Sequence, residues 1–291
     1  MLTGKSILFV GGDARHLEMM EQLVLSDANI YAIGFEEAKE QLSDVQLTRP
    51  DQVYKQELNA VVLPITGLDA SGYAEAHYAE ESPLLENEWF AELPDDCYLF
   101  TGIMTPYLEE LDTFKGMSVP LFERDDVAIY NSIPTAEGTL MLAIQYTDFT
   151  LHDSNITILG FGRVGKTLVH SFKGLGANVS VSARSTIDLA RVYEYHAEPI
   201  PFDQLAESLE TCNLLINTIP ELVVTPTIIR SLPKDSLIID LASKPGGVDY
   251  RYAKRIGVRA IEAPGLPGIV APKSAGKILA HVIHHILNEE E

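Results

Sequence analysis

Apolar positions in the first part of the chain fall into short runs, KSILFV, ANIYAIG, NAVVLPIT, CYLFTGI and VPLF. Between the first two lies HLEMMEQLVL, apolar at helical spacing. Runs that are apolar on both faces and alternate with helical segments predict a parallel sheet covered by helices on each side. The second part repeats the pattern more cleanly. NITILG, NVSVSA, EPIPF, CNLLINT, SLIIDLA and VRAIEA read as six strands, with TLVHSFKGLG, FDQLAESLE, TPTIIRSL and DYRYAKRIG as helices between them.

The expected architecture is α/β, with two doubly wound parallel-sheet domains. The first, residues 1–131, is expected to be flavodoxin-like, and the second, residues 132–273, a Rossmann unit. IPTAEGTLMLAIQYTDF predicts a helix joining them. Ser132 and Pro134 are its start signals, and Leu140, Ala143, Ile144 and Thr147 share one face. The amphipathic segment from about residue 274 to 291 is expected to pack back onto the first domain. Its His281, His284 and His285 read as surface or packing residues, so no metal is expected.

Chemistry concentrates at LGFGRVGK. Gly160, Gly162 and Gly165 follow a predicted strand and open a predicted helix, the setting in which three such glycines cradle a dinucleotide pyrophosphate at a helix N-terminus. Phe161, Arg163 and Val164 complete that loop. The next strand would end on an acid if it held the ribose 2′-hydroxyl of NAD. It ends instead on Ser182, Ala183, Arg184 and Ser185, and a guanidinium with hydroxyls suits the 2′-phosphate of NADP. Thr218, Ile219 and Pro220 after the fourth strand, and Ala242 after the fifth, would flank the nicotinamide.

Substrate residues are sought where open α/β sheets bind ligands, at the carboxyl ends of their strands. In the first domain these are Asp13, Arg15 and His16 of GGDARH, and Thr66 and Gly67 of PITGLDASG. Ser132, Thr135 and Glu137 stand at the predicted start of the joining helix, and Lys244, Gly265 and Lys273 at strand ends of the second domain. Arg15, Lys244 and Lys273 converge on the predicted cleft and imply an anionic substrate. His16, Glu137 and Lys244 are the candidates for proton transfer. GGDAR lacks a third glycine, which favours a carboxylated small molecule over a second nucleotide.

A net charge of −21 argues against a nucleic-acid partner, and no apolar run approaches the length of a membrane span. The N-terminal apolar run is too short for a signal peptide, so an intracellular protein is expected. Cys97 and Cys212 lie in apolar stretches and read as buried thiols. Eight acids and no Lys or Arg fall between Glu75 and Asp96, with Tyr78, Trp89 and Phe90 among them and Tyr73 just ahead. This is either a solvated face or a docking surface for a partner.

GGDARH, PITGLDASG, NSIPTAEGTLMLAI, GFGRVGKTL, DLASKPGGVD and APGLPGIVAPKSAGK together resemble the A-subunit family of dipicolinate synthase, through nearly the whole chain. The resemblance implies the cytoplasm of the mother cell in a sporulating bacterium. It also implies that the partner is the synthase's flavoprotein-like B-subunit, in a complex with room for more than one copy of this chain. The implied reaction converts a dihydrodipicolinate-type ring, a small dicarboxylate made by the lysine-pathway synthase, into pyridine-2,6-dicarboxylate with hydride transfer to a nicotinamide cofactor. It transfers no catalytic residue. The architecture is also similar to that of D-2-hydroxyacid dehydrogenases, but their arginine after the fifth strand and their later histidine are absent from DLASKPGGVD and EAPGLPGIV. Hydroxyacid oxidation is the alternative enzymatic reading, and a non-catalytic NADP-binding scaffold for the flavoprotein-like partner is the alternative from another class.

Overall fold

The computed structural model describes residues 1–288. The last three residues of the predicted C-terminal helix lie outside the described residues. The chain divides into two compact units, Met1–Ala128 together with the chain from Ala271, and Ile129–Val270.

The first unit contains six parallel strands: β1 (Ser6–Val10), β2 (Asn29–Ile33), β3 (Val45–Leu47), β4 (Ala60–Val62), β5 (Tyr98–Thr101) and β6 (Met117–Pro120), in the order β3-β2-β1-β4-β5-β6. β1 shows why its apolar run is unbroken. Ile7 and Phe9 enter one core cluster while Leu8 and Val10 enter another on the opposite face. The strand order corrects the flavodoxin-like expectation, because β2 carries β3 outside it, which gives the six-strand Rossmann order. β3 is an edge strand of three residues, VQL, with no apolar run to announce it. On one face the helix Ala14–Val24 packs against the C-terminal helix Pro272–Asn288, through Met19, Met20 and Leu23 against Leu279 and Ile283. Gly276 permits the close approach, since a Cβ there would lie 2.5 Å from the Arg15 carbonyl oxygen.

The second unit repeats the order with β7 (Asn155–Leu159), β8 (Asn178–Ala183), β9 (Glu198–Pro201), β10 (Leu214–Asn217), β11 (Leu237–Asp240) and β12 (Arg259–Glu262), paired as β12-β11-β10-β7-β8-β9. Again alternate residues take opposite faces, Leu214 and Ile216 in one cluster and Leu215 in the other.

The helix joining the two stretches of chain is longer than its expected start at Ser132 allows. It runs from Asp125 to Tyr146, with two acids in its first turn and Pro134 in its interior. Ser132, expected at its start, instead serves inside it, as does Thr135. Ser132 donates to the Ile129 carbonyl and Thr135 to the Asn131 carbonyl, three and four residues back. Pro134 has no N–H to give the Tyr130 carbonyl, so the helix tolerates one lost bond rather than beginning there. No helix among the described residues is long and apolar enough to cross a membrane.

Candidate functional site

Three glycines follow β7, and each meets a different surrounding. Gly160 has φ +95°, and a Cβ on it would lie 2.5 Å from Thr218 Oγ1. A Cβ on Gly165 would collide with the Gly160 carbonyl, so this glycine lets the helix Arg163–Gly174 start directly against the strand. Gly162 is different. It caps that helix, is exposed, and has nothing within 4 Å of a Cβ position. Two glycines are therefore required by the chain's own packing, while the middle one keeps clear the approach to the helix N-terminus, where backbone N–H groups attract an anion. Around them Phe161 is buried, edge-on to Tyr195 at 5.3 Å between ring centroids, and Lys166 sits over its ring. Arg163 and Val164 form the first turn of the helix.

Two buried polar residues at neighbouring strand ends fix the adjacent loops. Asn217, ending β10, and Asp240, ending β11, lie opposite one another in register. Asn217 Nδ2 donates to Asp240 Oδ1 at 2.8 Å and to the Ile219 carbonyl at 2.9 Å, while its Oδ1 accepts from Ile219 N–H. Asp240 also accepts from Ala242 N–H, Gly247 N–H and the Tyr250 hydroxyl. Burial, with the Asp240 carboxylate beside it, raises the Tyr250 phenol above its ordinary value. The pair shapes both loops predicted to flank the nicotinamide, Thr218–Ile219–Pro220 and the stretch from Ala242. Thr218 Oγ1 donates back to the Leu159 carbonyl. The sequence pattern places Asn217 only at a strand end beside the nicotinamide loop and gives Asp240 no role. Their one signal was a polar residue closing each of two strongly apolar strands.

At the end of β8, Arg184 is exposed and donates from NH2 to Glu221 Oε2 at 3.0 Å, with its guanidinium 5.5 Å from the Phe202 ring centroid. The neighbouring serines are placed differently. Ser182 is fully buried, and Ser185 caps the helix Thr186–Glu194, accepting from Ile187 N–H and Asp188 N–H. Ala183 is buried as well.

The corresponding turn of the first unit is filled by the chain itself. Gly12 N–H donates to the Glu75 carbonyl at 2.7 Å, and His77 N–H donates to the Gly12 carbonyl at 3.0 Å. A Cβ on Gly11 would lie 2.5 Å from that same Glu75 oxygen. These glycines admit a second strand of backbone, which stands where a nucleotide would have to lie. His16 is wholly buried. Its Nδ1 accepts from Asp13 N–H in a capping box, and its Nε2 faces the Leu63 carbonyl at 3.2 Å. With both ring nitrogens engaged, the residue is suited to holding the turn rather than exchanging protons with a substrate. Arg15 folds its guanidinium onto the Asp13 carboxylate. Burial pushes the Asp13 carboxyl up, but the bonds with His16 and Arg15 outweigh it and hold the group well below the usual carboxylate range.

Thr66 donates to Glu75 Oε2 at 2.8 Å, and Gly67, at φ +72°, lies against Thr105. Both line an open cavity of about 540 Å³ that also carries Asp69 and Glu75. Its acids make it a poor seat for a dicarboxylate. Glu75 also binds His77 Nε2 at 2.9 Å, and these bonds from His77 and Thr66 lower its pKa. In the acidic stretch that follows, Trp89 and Phe90 are buried, Trp89 Nε1 bonds the Pro50 carbonyl, and Tyr78 stacks on Phe35, while Tyr73 just ahead of it is exposed.

Ser132 is buried and hydrogen-bonded to Thr167 at 2.6 Å, Thr135 is turned back onto its own helix, and Glu137 is exposed in mid-helix. Lys244 is exposed, as is Lys273, which stands in the first unit with Arg15 rather than in the second. Gly265 has φ +69° with open space around a Cβ position. Burial, with Asp96 nearby, pushes the Cys97 thiol up to about 12, and burial also raises Cys212, so neither is a nucleophile at neutral pH. Among the described residues no group of three or more His, Cys, Asp or Glu is placed to hold a metal ion.

Residues 6–121 match the family model of the N-terminal domain of the dipicolinate synthase A-subunit, and residues 135–239 match that of the D-isomer specific 2-hydroxyacid dehydrogenase NAD binding domain. The second unit is thus a dehydrogenase-type dinucleotide-binding domain. The chain is 43% identical, over 99% of its length and 98% of the relative's, to the dipicolinate synthase A-subunit of Bacillus subtilis (strain 168). Crystal structures of the dipicolinate synthase A-subunit from Bacillus halodurans and of its counterpart from Bacillus subtilis superpose with TM-scores of 0.94 and 0.95, at 45% and 42% identity. The first covers 99% of both chains, the second 100% of this chain and 99% of the other.

Proposed function

Because this chain belongs to the A-subunit family of dipicolinate synthase, we propose that it oxidises a dihydrodipicolinate-type ring to pyridine-2,6-dicarboxylate with NADP as hydride acceptor. The setting is the cytoplasm of a sporulating bacterium, and the flavoprotein-like B-subunit of the synthase is its partner. The observation that carries this reading is the open approach at Gly162 to a helix N-terminus, beside two glycines the chain closes for its own packing. A nicotinamide dinucleotide held at that helix N-terminus would supply the hydride acceptor, with the ring losing a proton as well and its aromatisation favouring the step. The chain's residues bind and orient. The helix N-terminus takes the pyrophosphate, the Asn217–Asp240 pair fixes the loops of Thr218 and Ala242, and Arg184 takes the 2′-phosphate.

Of the three side chains considered for proton transfer, Lys244 is the one on a strand-end loop of the cofactor unit. It has no hydrogen-bond partner among the described residues, and it also suits a ring carboxylate. The buried His16 and the mid-helix Glu137 do not fit that task as well.

The test is incubation of the purified chain, alone and with its flavoprotein-like partner, with freshly made lysine-pathway intermediate and NADP, following dipicolinate by its ultraviolet absorbance. NADP-dependent product formation supports the reading. Product formed by the partner at the same rate without this chain would overturn it.

A further inference from the structure

The end of β8 lacks the acid that would accept a ribose 2′-hydroxyl, yet a carboxylate is present there. Glu221 belongs to the loop after β10, 37 residues away in sequence, and its Oε2 is 3.0 Å from Arg184 NH2. Both side chains are 64% exposed, so water screens the pair and it is weak enough to open for a ligand. The Phe202 ring beneath the guanidinium holds Arg184 in place when that bond opens. The two serines offer little, because Ser182 is buried and Ser185 is committed to capping a helix. Arg184 and Glu221 are thus a donor and an acceptor side by side at the position where the adenosine ribose of a dinucleotide lies in this fold.

We propose that Glu221 supplies from the β10 loop the carboxylate missing from the end of β8, and so limits the preference of this site for NADP over NAD. This rests on the assignment of Arg184 to the 2′-phosphate. With NADP, Arg184 turns from Glu221 to the phosphate, and the nearby carboxylate repels that phosphate. With NAD, Glu221 accepts from the 2′-hydroxyl while Arg184 keeps its carboxylate partner. One residue therefore acts on the two cofactors with opposite sign.

Calorimetric titration of the purified full-length chain with NADP and with NAD, at one fixed ionic strength, tests this. Glu221→Gln is expected to tighten NADP about two- to fivefold and to weaken NAD by a similar factor, the scale of an exposed charge pair. Its melting temperature without ligand should match the wild type, because the side chain is solvent-exposed. Glu221→Ala is the second variant, with the same expected direction. If Arg184→Ala leaves NADP affinity unchanged, the premise about the 2′-phosphate fails. If Arg184→Ala weakens NADP but both Glu221 variants bind the two cofactors as the wild type does, the proposal for Glu221 alone is overturned. Tightening of NADP with NAD unaffected would likewise overturn it, reducing Glu221 to a counter-charge.

Discussion

Arg184 and Asp13 are both charged residues at strand ends, but their surroundings give them opposite duties. Arg184 is exposed and its partner is screened, so its interactions can pass to a ligand. Arg184→Asp should weaken NADP by roughly ten- to a hundredfold, on the order of 1.5–3 kcal/mol for one charge-assisted pair, and should spare NAD. Titration with both cofactors measures this. Asp13 is instead tied to Arg15, to His16 and to the start of its helix. Its folded pKa lies below the roughly 4 of an unfolded chain. Its bonds therefore stabilise the fold above about pH 4, and that contribution is lost as the pH falls below it. Asp13→Asn should lower stability at neutral pH and flatten the acid limb of the stability curve, as read by denaturant titration across pH 2–5. The glycine loop was legible because neighbours in sequence define it. Glu221, Asn217 and Asp240 were not, because what each touches depends on strand register. The burial of His16, likewise, is decided by Leu63, 47 residues away.

At the scale of elements, the glycine loop separates binding from folding. Gly162→Val puts a branched side chain into open space, so the melting temperature without ligand should stay near that of the wild type while stabilisation by NADP disappears. Gly165→Ala should do the reverse damage, pressing the helix off β7 and costing about 1–3 kcal/mol of stability, as read by thermal or urea unfolding. Strands with unbroken apolar runs were readable from pattern alone, since both faces of β1, β10 and β11 are buried. β3 was not, being three residues at an edge, and neither was the strand order of the first sheet, which periodicity does not encode. The joining helix misled for a local reason. Serine and proline are start signals on average, but here the Ser132 hydroxyl bonds back along a helix already seven residues old.

At the scale of the molecule, both units share one strand order yet treat the turn after their first strand differently. The first fills it with its own backbone at Glu75–His77, while the second leaves it open at Gly162. One dinucleotide per chain is the consequence, checked by the stoichiometry of NADP titration, for which a value near two would count against the filled turn. Lys244→Ala should leave that binding intact and lower the specificity constant for the ring substrate, by roughly tenfold or more for a lost charged contact. The proposed reaction is tested most sharply by the ratio of reduced cofactor to dipicolinate formed when the wild-type chain and the proposed flavoprotein-like partner are given the lysine-pathway intermediate. One NADPH is expected for each dipicolinate, and neither product with Gly162→Val. Dipicolinate appearing without NADPH, or undiminished in Gly162→Val, would contradict it.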